Sequence, residues 1–300
     1  MDLHYPLGVA MAILCGVVIQ SGILLQKKVV NDLPPEVREK GFMRTLVRKP
    51  MWLAGIVLEV AVGAVTFMTA QNLIGPALVP GLMASGLIVL AIGSVKLIGE
   101  TLSAGEYAGI FLMIVGILLL GLSELEIPVE RVREALAFPG TAGRIAVFSV
   151  SLLLLWGATH LASLRSPKRK GMIIAFSNGF PFCLSNFWIS PLLAVWVVVL
   201  GGNGSWGQIG LFVLASAILV GTNLFGIRQT QEAFKFAQAS NVIPVQQVTV
   251  QITPVLVYFY VFSLDPPTRL AGALIVSGAL CVSLSGFLLG RRQSELEKIR

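Results

Sequence analysis

The chain has 300 residues, 55% of them hydrophobic and 12% charged, with a formal net charge of +7. A soluble domain carries about 25% charged residues, and no polar stretch here is long enough to form one, so no soluble domain is expected. The basic excess does not point to nucleic acid, because the Lys and Arg residues sit in short loops between apolar runs and there report membrane topology.

Apolar runs of membrane-spanning length recur from end to end, each able to cross a bilayer as a helix. Span one is expected over 7–25 and stops at Lys27-Lys28. Its leader holds Asp2 and neither Lys nor Arg, and no small-x-small cleavage site follows, so it reads as a retained span and not as a signal peptide. A polar loop with Pro34-Pro35 leads to Pro50. Span two covers 51–72, Gly75-Pro76 makes a turn, and span three covers 76–95. Lys96 and Gly99-Glu100-Thr101 form the next turn, and span four covers 107–123.

A mixed-charge connector with Glu124, Glu126, Glu130, Arg131, Arg133 and Glu134 patterns as a short surface helix before Pro139-Gly140. Span five covers 145–164, and a tight basic loop follows with Arg165, Lys168, Arg169 and Lys170. From Gly171 to Ile227 there is no charge; Gly201-Gly202-Asn203-Gly204-Ser205 divides this stretch into span six, 171–200, and span seven, 208–227. Pro181 and Pro191 are expected to kink span six. Span eight covers 242–262, Asp265-Pro266-Pro267 turns the chain, span nine covers 270–289, and a charged tail ends it. Cys15, Cys183 and Cys281 are scattered through apolar sequence without disulfide or metal spacing and read as small buried hydrophobes.

With nine spans, 18 of the 22 Lys and Arg residues fall on one side of the membrane and four on the other. Splitting 171–200 into two spans weakens this to 13 against nine. Nine spans place the N-terminus outside and the tail in the cytoplasm. An internal repeat supports the count. Gly8–Lys28 resembles Gly171–Pro191 in its small and polar pattern, Pro76 and Pro244 each open a span, and Ala108-Gly109 matches Ala271-Gly272. Equivalent spans are five apart, so the second half is inverted, the arrangement of secondary transporters with a site at mid-membrane. The expected fold is all-α: a polytopic membrane protein of nine transmembrane helices, with two inverted four-helix repeats joined by a central helix. Its parts are 1–123 (first repeat), 124–170 (connector and helix five), 171–290 (second repeat) and 291–300 (cytoplasmic tail).

Glu59 is the only charge between Lys49 and Lys96. A carboxylate at the centre of a span costs roughly 2.5 kcal/mol even on the mildest insertion scale, so something must offset it. On span two, Gly55, Glu59, Gly63, Thr66 and Ala70 share one face at helical spacing, and Val57, Ala61, Val65 and Met68 share the opposite one. The first stripe is expected to face other helices. Glu59 then reads either as a cation ligand or proton-coupling group, or as a structural carboxyl bonded to a neighbouring helix.

Span eight presents Pro244, Gln247, Gln251, Pro254 and Tyr258 on one polar face. The prolines free backbone carbonyls that could line a cavity; interhelical amide bonding is the other reading. Gln20, on a stripe with Gly8, Ala12 and Gly16, and Asn178, Asn186 and Asn223 are further amides inside spans. The expected substrate-binding set is Glu59, Gln20, Thr66, Asn178, Asn186, Asn223, Gln247, Gln251 and Tyr258, with Glu59 as the metal ligand. Trp188 and Trp196 could wall a site for an organic solute. His160 reads as an interfacial imidazole, with a proton relay as the alternative. Glu100 is expected to organise its own turn with Lys96. Arg228, Glu232 and Lys235 are expected on a solvated face or against lipid headgroups.

The run Leu90-Ala91-Ile92-Gly93-Ser94-Val95-Lys96-Leu97-Ile98-Gly99-Glu100-Thr101-Leu102, with Ala108-Gly109-Ile110-Phe111-Leu112-Met113-Ile114-Val115-Gly116 after it, resembles the drug/metabolite transporter (EamA-type) superfamily, whose repeat ends in a Gly-Glu turn and a Gly-rich last helix. Ser21-Gly22 before Lys27-Lys28, Trp52 with Ala54-Gly55, and nine spans resemble its NIPA-like magnesium transporter branch. The resemblance implies a transporter, and the branch implies magnesium as cargo with a span-two acid as its ligand. One carboxylate with amide and carbonyl oxygens also suits magnesium chemically, since that ion gives up its water reluctantly. An exporter of a small organic metabolite or drug coupled to protons is the alternative, and a non-transporting scaffold a third. No HExxH, no GxSxG and no aspartate pair within the spans points to catalysis, so neither catalytic residues nor a resident cofactor is expected. The expected partners are the bilayer, a small solute or divalent cation, and, as an open option, a second copy in a homodimer.

Overall fold

The structure, a computed structural model, describes residues 4–34, 36, 41–74, 79–83, 85–123, 134, 139–166, 169–263, 265–266 and 268–299. Among them every regular element is helical. In chain order these are α1 (His4–Asn31), α2 (Phe42–Leu46), and α3, which is Pro50–Ile56 running through a π-helical stretch, Val57–Val62, into Gly63–Ile74. Next come α4 (Val79–Met83), α5 (Gly86–Gly93, extended by a π-helical Ser94–Ile98), α6 (Ala104–Leu122) and α7 (Pro139–Arg165). The chain ends with α8 (Lys170–Leu200), α9 (Trp206–Phe234), α10 (Ala239–Leu256, extended by a π-helical Val257–Val261) and α11 (Arg269–Ile299). The expected turn at Gly75-Pro76 and the connector helix over 124–138, Glu134 apart, lie outside the described residues.

Eight helical stretches among the described residues are long and apolar enough to cross a membrane, drawn from α1, α3, α6, α7, α8, α9, α10 and α11. The chain is an integral, multi-pass membrane protein. The ninth expected span, 76–95, does not form one spanning helix among these residues. It is divided between α4 and α5, with Gly86–Ile98 a shorter apolar helix. The break falls at Ser85, which lies in a turn and donates its hydroxyl back to Leu82 O at 2.6 Å.

Other boundaries also move. Lys27 and Lys28 do not stop α1, which continues to Asn31, and α9 continues past Ile227 to Phe234. α8 is a single helix of 31 residues with Pro181 and Pro191 inside it. Local chemistry fixes several ends. Ser103 with Glu106, and Ser205 with Gln208, form capping boxes that open α6 and α9. Gly99, at φ 78°, ends the α5 extension in a left-handed conformation that a side chain would oppose.

Lipid tails are as apolar as the side chains they surround, so the bundle is held by close packing and polar contacts more than by hydrophobic burial. Small residues permit the closest crossings. A Cβ placed on Gly22 would lie 2.5 Å from Gly55 O, so α1 and α3 meet backbone to backbone. Gly116 and Gly278 do the same for α6 and α11, at 2.9 Å. α1 packs on α3, α4 and α5, while α8 packs on α7, α9 and α10. α6 and α11 pair extensively across the molecule. One core cluster joins α1, α5, α6, α8, α10 and α11; a second, around Phe148, Phe187 and Trp188, joins α7, α8, α9 and α10.

Candidate functional site

The small stripe of α3 turns inward. Gly55, Gly63, Thr66 and Ala70 are buried and Glu59 is half-buried, whereas Val57, Ala61, Val65 and Met68 are exposed. Glu59 lies within the π-helical stretch Val57–Val62, a helix form concentrated at functional positions. It is ten residues into the spanning stretch Pro50–Ala70, about 14 Å from that end at 1.5 Å per residue.

One oxygen of Glu59 is engaged. Gln26 Nε2 donates to Oε2 at 2.5 Å, Gln231 Nε2 donates to Gln26 Oε1 at 2.5 Å, and Trp52 Nε1 donates to Gln231 Oε1 at 3.1 Å. The direction of this chain follows from its first member. An indole N–H can only donate, so Gln231 must turn its oxygen to Trp52 and its amide group to Gln26. Gln26 must then turn its own amide group to Glu59. Trp52, Gln231 and Gln26 are buried, so each amide is locked by its neighbour. The chain draws on α1, α3 and α9 and therefore joins the first half of the molecule to the second. Glu59 Oε1 takes no hydrogen bond from a described residue. The arrangement can hold a carboxylate in place through one oxygen and present the other to a cation or a proton.

Around this chain, charged groups of the first half cap helices of the second. Lys27, buried, donates to Phe234 O at 2.6 Å and Ala237 O at 2.8 Å and stands 5.5 Å from the centre of the Phe234 ring. A cation there complements the C-terminal dipole of α9. Glu100 accepts from Ala239 N at 2.7 Å, Ser240 N at 3.2 Å and the Ser240 hydroxyl at 2.8 Å, so it caps α10. The expected pairing with Lys96 gives way to this one; Lys96 is exposed and takes no part. Glu106 binds Asn241 Nδ2 at 2.8 Å while completing its own capping box.

The other expected residues are spread through the bundle. Gln20 is buried and its Oε1 has no hydrogen-bond partner among the described residues. Thr66 spends its hydroxyl on Val62 O and Gly63 O of its own helix. Asn178 donates to Thr230 Oγ1 at 2.6 Å and Gln246 Oε1 at 3.0 Å, and its own Oδ1 is buried without a partner among the described residues. Asn223 donates to Ser185 Oγ and ties α9 to α8. Gln251 donates to Gln247 along α10 at 3.2 Å. Tyr258 donates to Asp265 O at 2.8 Å, holding the turn beyond α10. Asn186 is exposed, because eight residues beyond Asn178 is about 80° around the helix.

Gln26, Gln231, Gln246 and Thr230 are polar partners that the sequence reading missed. Gln26 had a signal, lying one turn after Gly22 on the face that meets Gly55. Two cavities, of about 350 and 230 Å³, lie among α7, α8 and α9, and neither is lined by a residue of the expected substrate-binding set. Among the described residues, no group of three or more His, Cys, Asp or Glu could hold a metal ion. No protein-family model matches the chain, and comparisons with curated proteins and with solved structures find no match.

Proposed function

We propose that the protein is a membrane transporter of the drug/metabolite type, moving a small solute or cation through a polar site between two inverted halves, with the N-terminus outside and the C-terminus in the cytoplasm. The hydrogen-bonded chain from Trp52 through Gln231 and Gln26 to Glu59 carries this reading. It ties the lone carboxylate of α3 to a helix from each half, as a group that couples their relative movement would have to be tied. The packing supports the internal repeat. α1 packs on α3, α4 and α5 after it and α8 on α9 and α10 after it, and α6 and α11, the last helices of the two halves, pair with each other.

Magnesium remains the proposed cation. With one carboxylate and no cage of acidic or histidine ligands among the described residues, the ion would keep much of its water and use amide oxygens as outer contacts. The same lone carboxylate with an unengaged oxygen favours, as the second reading, proton-coupled export of a small organic metabolite. The two readings differ in what Glu59 carries.

The test is flux in liposomes holding the full chain, with magnesium measured beside a panel of amino acids and organic cations. Saturable flux above protein-free liposomes is expected, and Glu59→Gln should abolish most of it while staying folded, since its amide oxygen still accepts from Gln26. Equal flux through the variant would remove Glu59 from the mechanism, and no saturable flux of any kind would remove the transporter.

A further inference from the structure

α7 and α9 both lie against α8, and the two cavities between them meet at Trp156 and Phe225. These two rings stand edge to face with centroids 5.8 Å apart, and Trp156 Nε1 donates to Gln229 Oε1 at 3.0 Å. Both chambers are lined mostly by apolar surface, and they differ in the charged side chains that border only the larger one. The one of about 230 Å³ is apolar, walled by Leu153, Pro181, Leu184 and Ile218 and by Trp188, whose N–H is spent on Ser149 Oγ at 3.1 Å. The one of about 350 Å³ carries His160, Lys170, Arg228 and Glu232.

The charges of the larger chamber do not cancel. Glu232 is already matched by Lys235, at 3.0 Å. Arg228 is exposed and makes no hydrogen bond or ion pair with a described residue, and Lys170 stands 4.9 Å from the centre of the Phe236 ring. This chamber lies where α7 ends, α8 begins and α9 nears its end, so it sits at one face of the bundle. The apolar chamber reaches Gly221 and Ala217 on α9, about 10–17 Å along the helix axis from Arg228. Leu153 and Phe225 on the cleft's edges are 47% and 51% exposed, so it opens sideways, toward the lipid.

A basic rim at the interface, an apolar chamber beneath it and a lateral mouth fit one kind of occupant. We propose that this cleft binds an anionic phospholipid, its phosphate against Arg228 and Lys170 and one acyl chain passing Trp156 into the apolar chamber. An arginine guanidinium suits a phosphate by its paired donors, and basic pockets between membrane helices recognise anionic headgroups. A water-soluble anion would leave the apolar chamber unused. A zwitterionic lipid would bring its own cation to the same basic rim. The cavity volumes fall in the range of small-ligand sites, about 300–1,000 Å³ together, which suits one chain with the other left in the bilayer. The site shares no residue with the Glu59 cluster and stands or falls separately from transport.

Native mass spectrometry of the full chain, with phosphatidylglycerol and phosphatidylcholine of identical acyl chains, tests the assignment. A retained phosphatidylglycerol copy is expected, with about tenfold or greater preference contributed by two basic side chains. Arg228→Gln with Lys170→Gln should erase the preference. Gly221→Leu places a side chain in the apolar chamber where nothing lies within 4 Å of the new Cβ; it should weaken retention and leave thermal unfolding unchanged. Should the double variant fail to fold, Gly221→Leu decides alone. Equal retention of the two lipids by the parent chain overturns the proposal, as does undiminished retention in Gly221→Leu. Displacement of the lipid by glycerol phosphate at equal concentration would assign the rim to a free phosphate instead.

Discussion

The junction of the two halves and the cleft over α8 both hold polar groups within the helical bundle, and they differ in how many of their charges are matched. At the junction, Lys27, Glu100, Gln26 and Gln231 all meet a partner on another helix or at its end, and all four are buried. At the cleft, Arg228 and His160 are exposed beside an apolar chamber. A polar residue in a membrane span is therefore two signals in one. Matched across helices, it fixes how the bundle assembles; left open beside a cavity, it is a recognition element. Glu59 stands between these cases, with one oxygen matched and the other not.

The sharpest way to break the comparison is to add the same side chain to each region. Gly22→Leu drives a Cβ to 2.5 Å from Gly55 O and 3.0 Å from Glu59 N, where only backbone could yield. Overpacking of this kind costs about 3 kcal/mol, so little monodisperse protein should survive size-exclusion chromatography. Gly221→Leu in the cleft should fall within about 0.5 kcal/mol of the parent. If both variants lose the same amount of thermal stability, the junction is not the more tightly built region.

A smaller effect tests whether charge at the junction is structural. Glu100→Ala strips the acceptor from Ala239 N, Ser240 N and the Ser240 hydroxyl, which lie in buried surroundings. Each buried polar group left unmatched costs about 1–3 kcal/mol, so the melting temperature should fall clearly, and Glu100→Gln should recover part of the loss. Trp52→Phe is milder. It removes a single donor to Gln231, worth about 1 kcal/mol, and releases the orientation of the amides that lead to Glu59. Its effect on solute flux should therefore exceed its effect on unfolding. A variant with parent-like flux would show that the amide order does not matter to transport.

The inward stripe of α3 could be read from the sequence, since small residues at helical spacing opposite Val57, Val65 and Met68 admit one sensible orientation. The partners of that stripe could not. Gln26 reaches Glu59 because Gly22 and Gly55 set how α1 crosses α3, and a crossing between two helices is not written in either helix alone. On α10 a neighbouring amide carries the interhelical contact. The polar face was expected at Gln247, but Gln246 meets Asn178, and one position along a helix is about 100° around it. The Gly-Glu turn was recognised for its place in the chain, while the role of its carboxylate depended on α10, more than a hundred residues away. Span three reads as continuous in the sequence because its hydropathy hides the turn at Ser85.

Lys96→Ala is the weakest perturbation and separates two accounts of Glu100. Sequence spacing pairs the two residues one helical turn apart, and an exposed pair of that kind is worth about 0.3–0.5 kcal/mol. In the structure Lys96 is exposed, and the Glu100 carboxylate is spent on the N-terminus of α10, where its charge also meets the helix dipole. Removing the lysine should therefore leave thermal unfolding unchanged, in the parent chain and in Glu100→Gln alike. A double-mutant cycle built from Lys96→Ala and Glu100→Gln should give no coupling. A measurable coupling would mean that the carboxylate holds its own turn before it holds the other half, and that the halves are joined by less than the junction suggests.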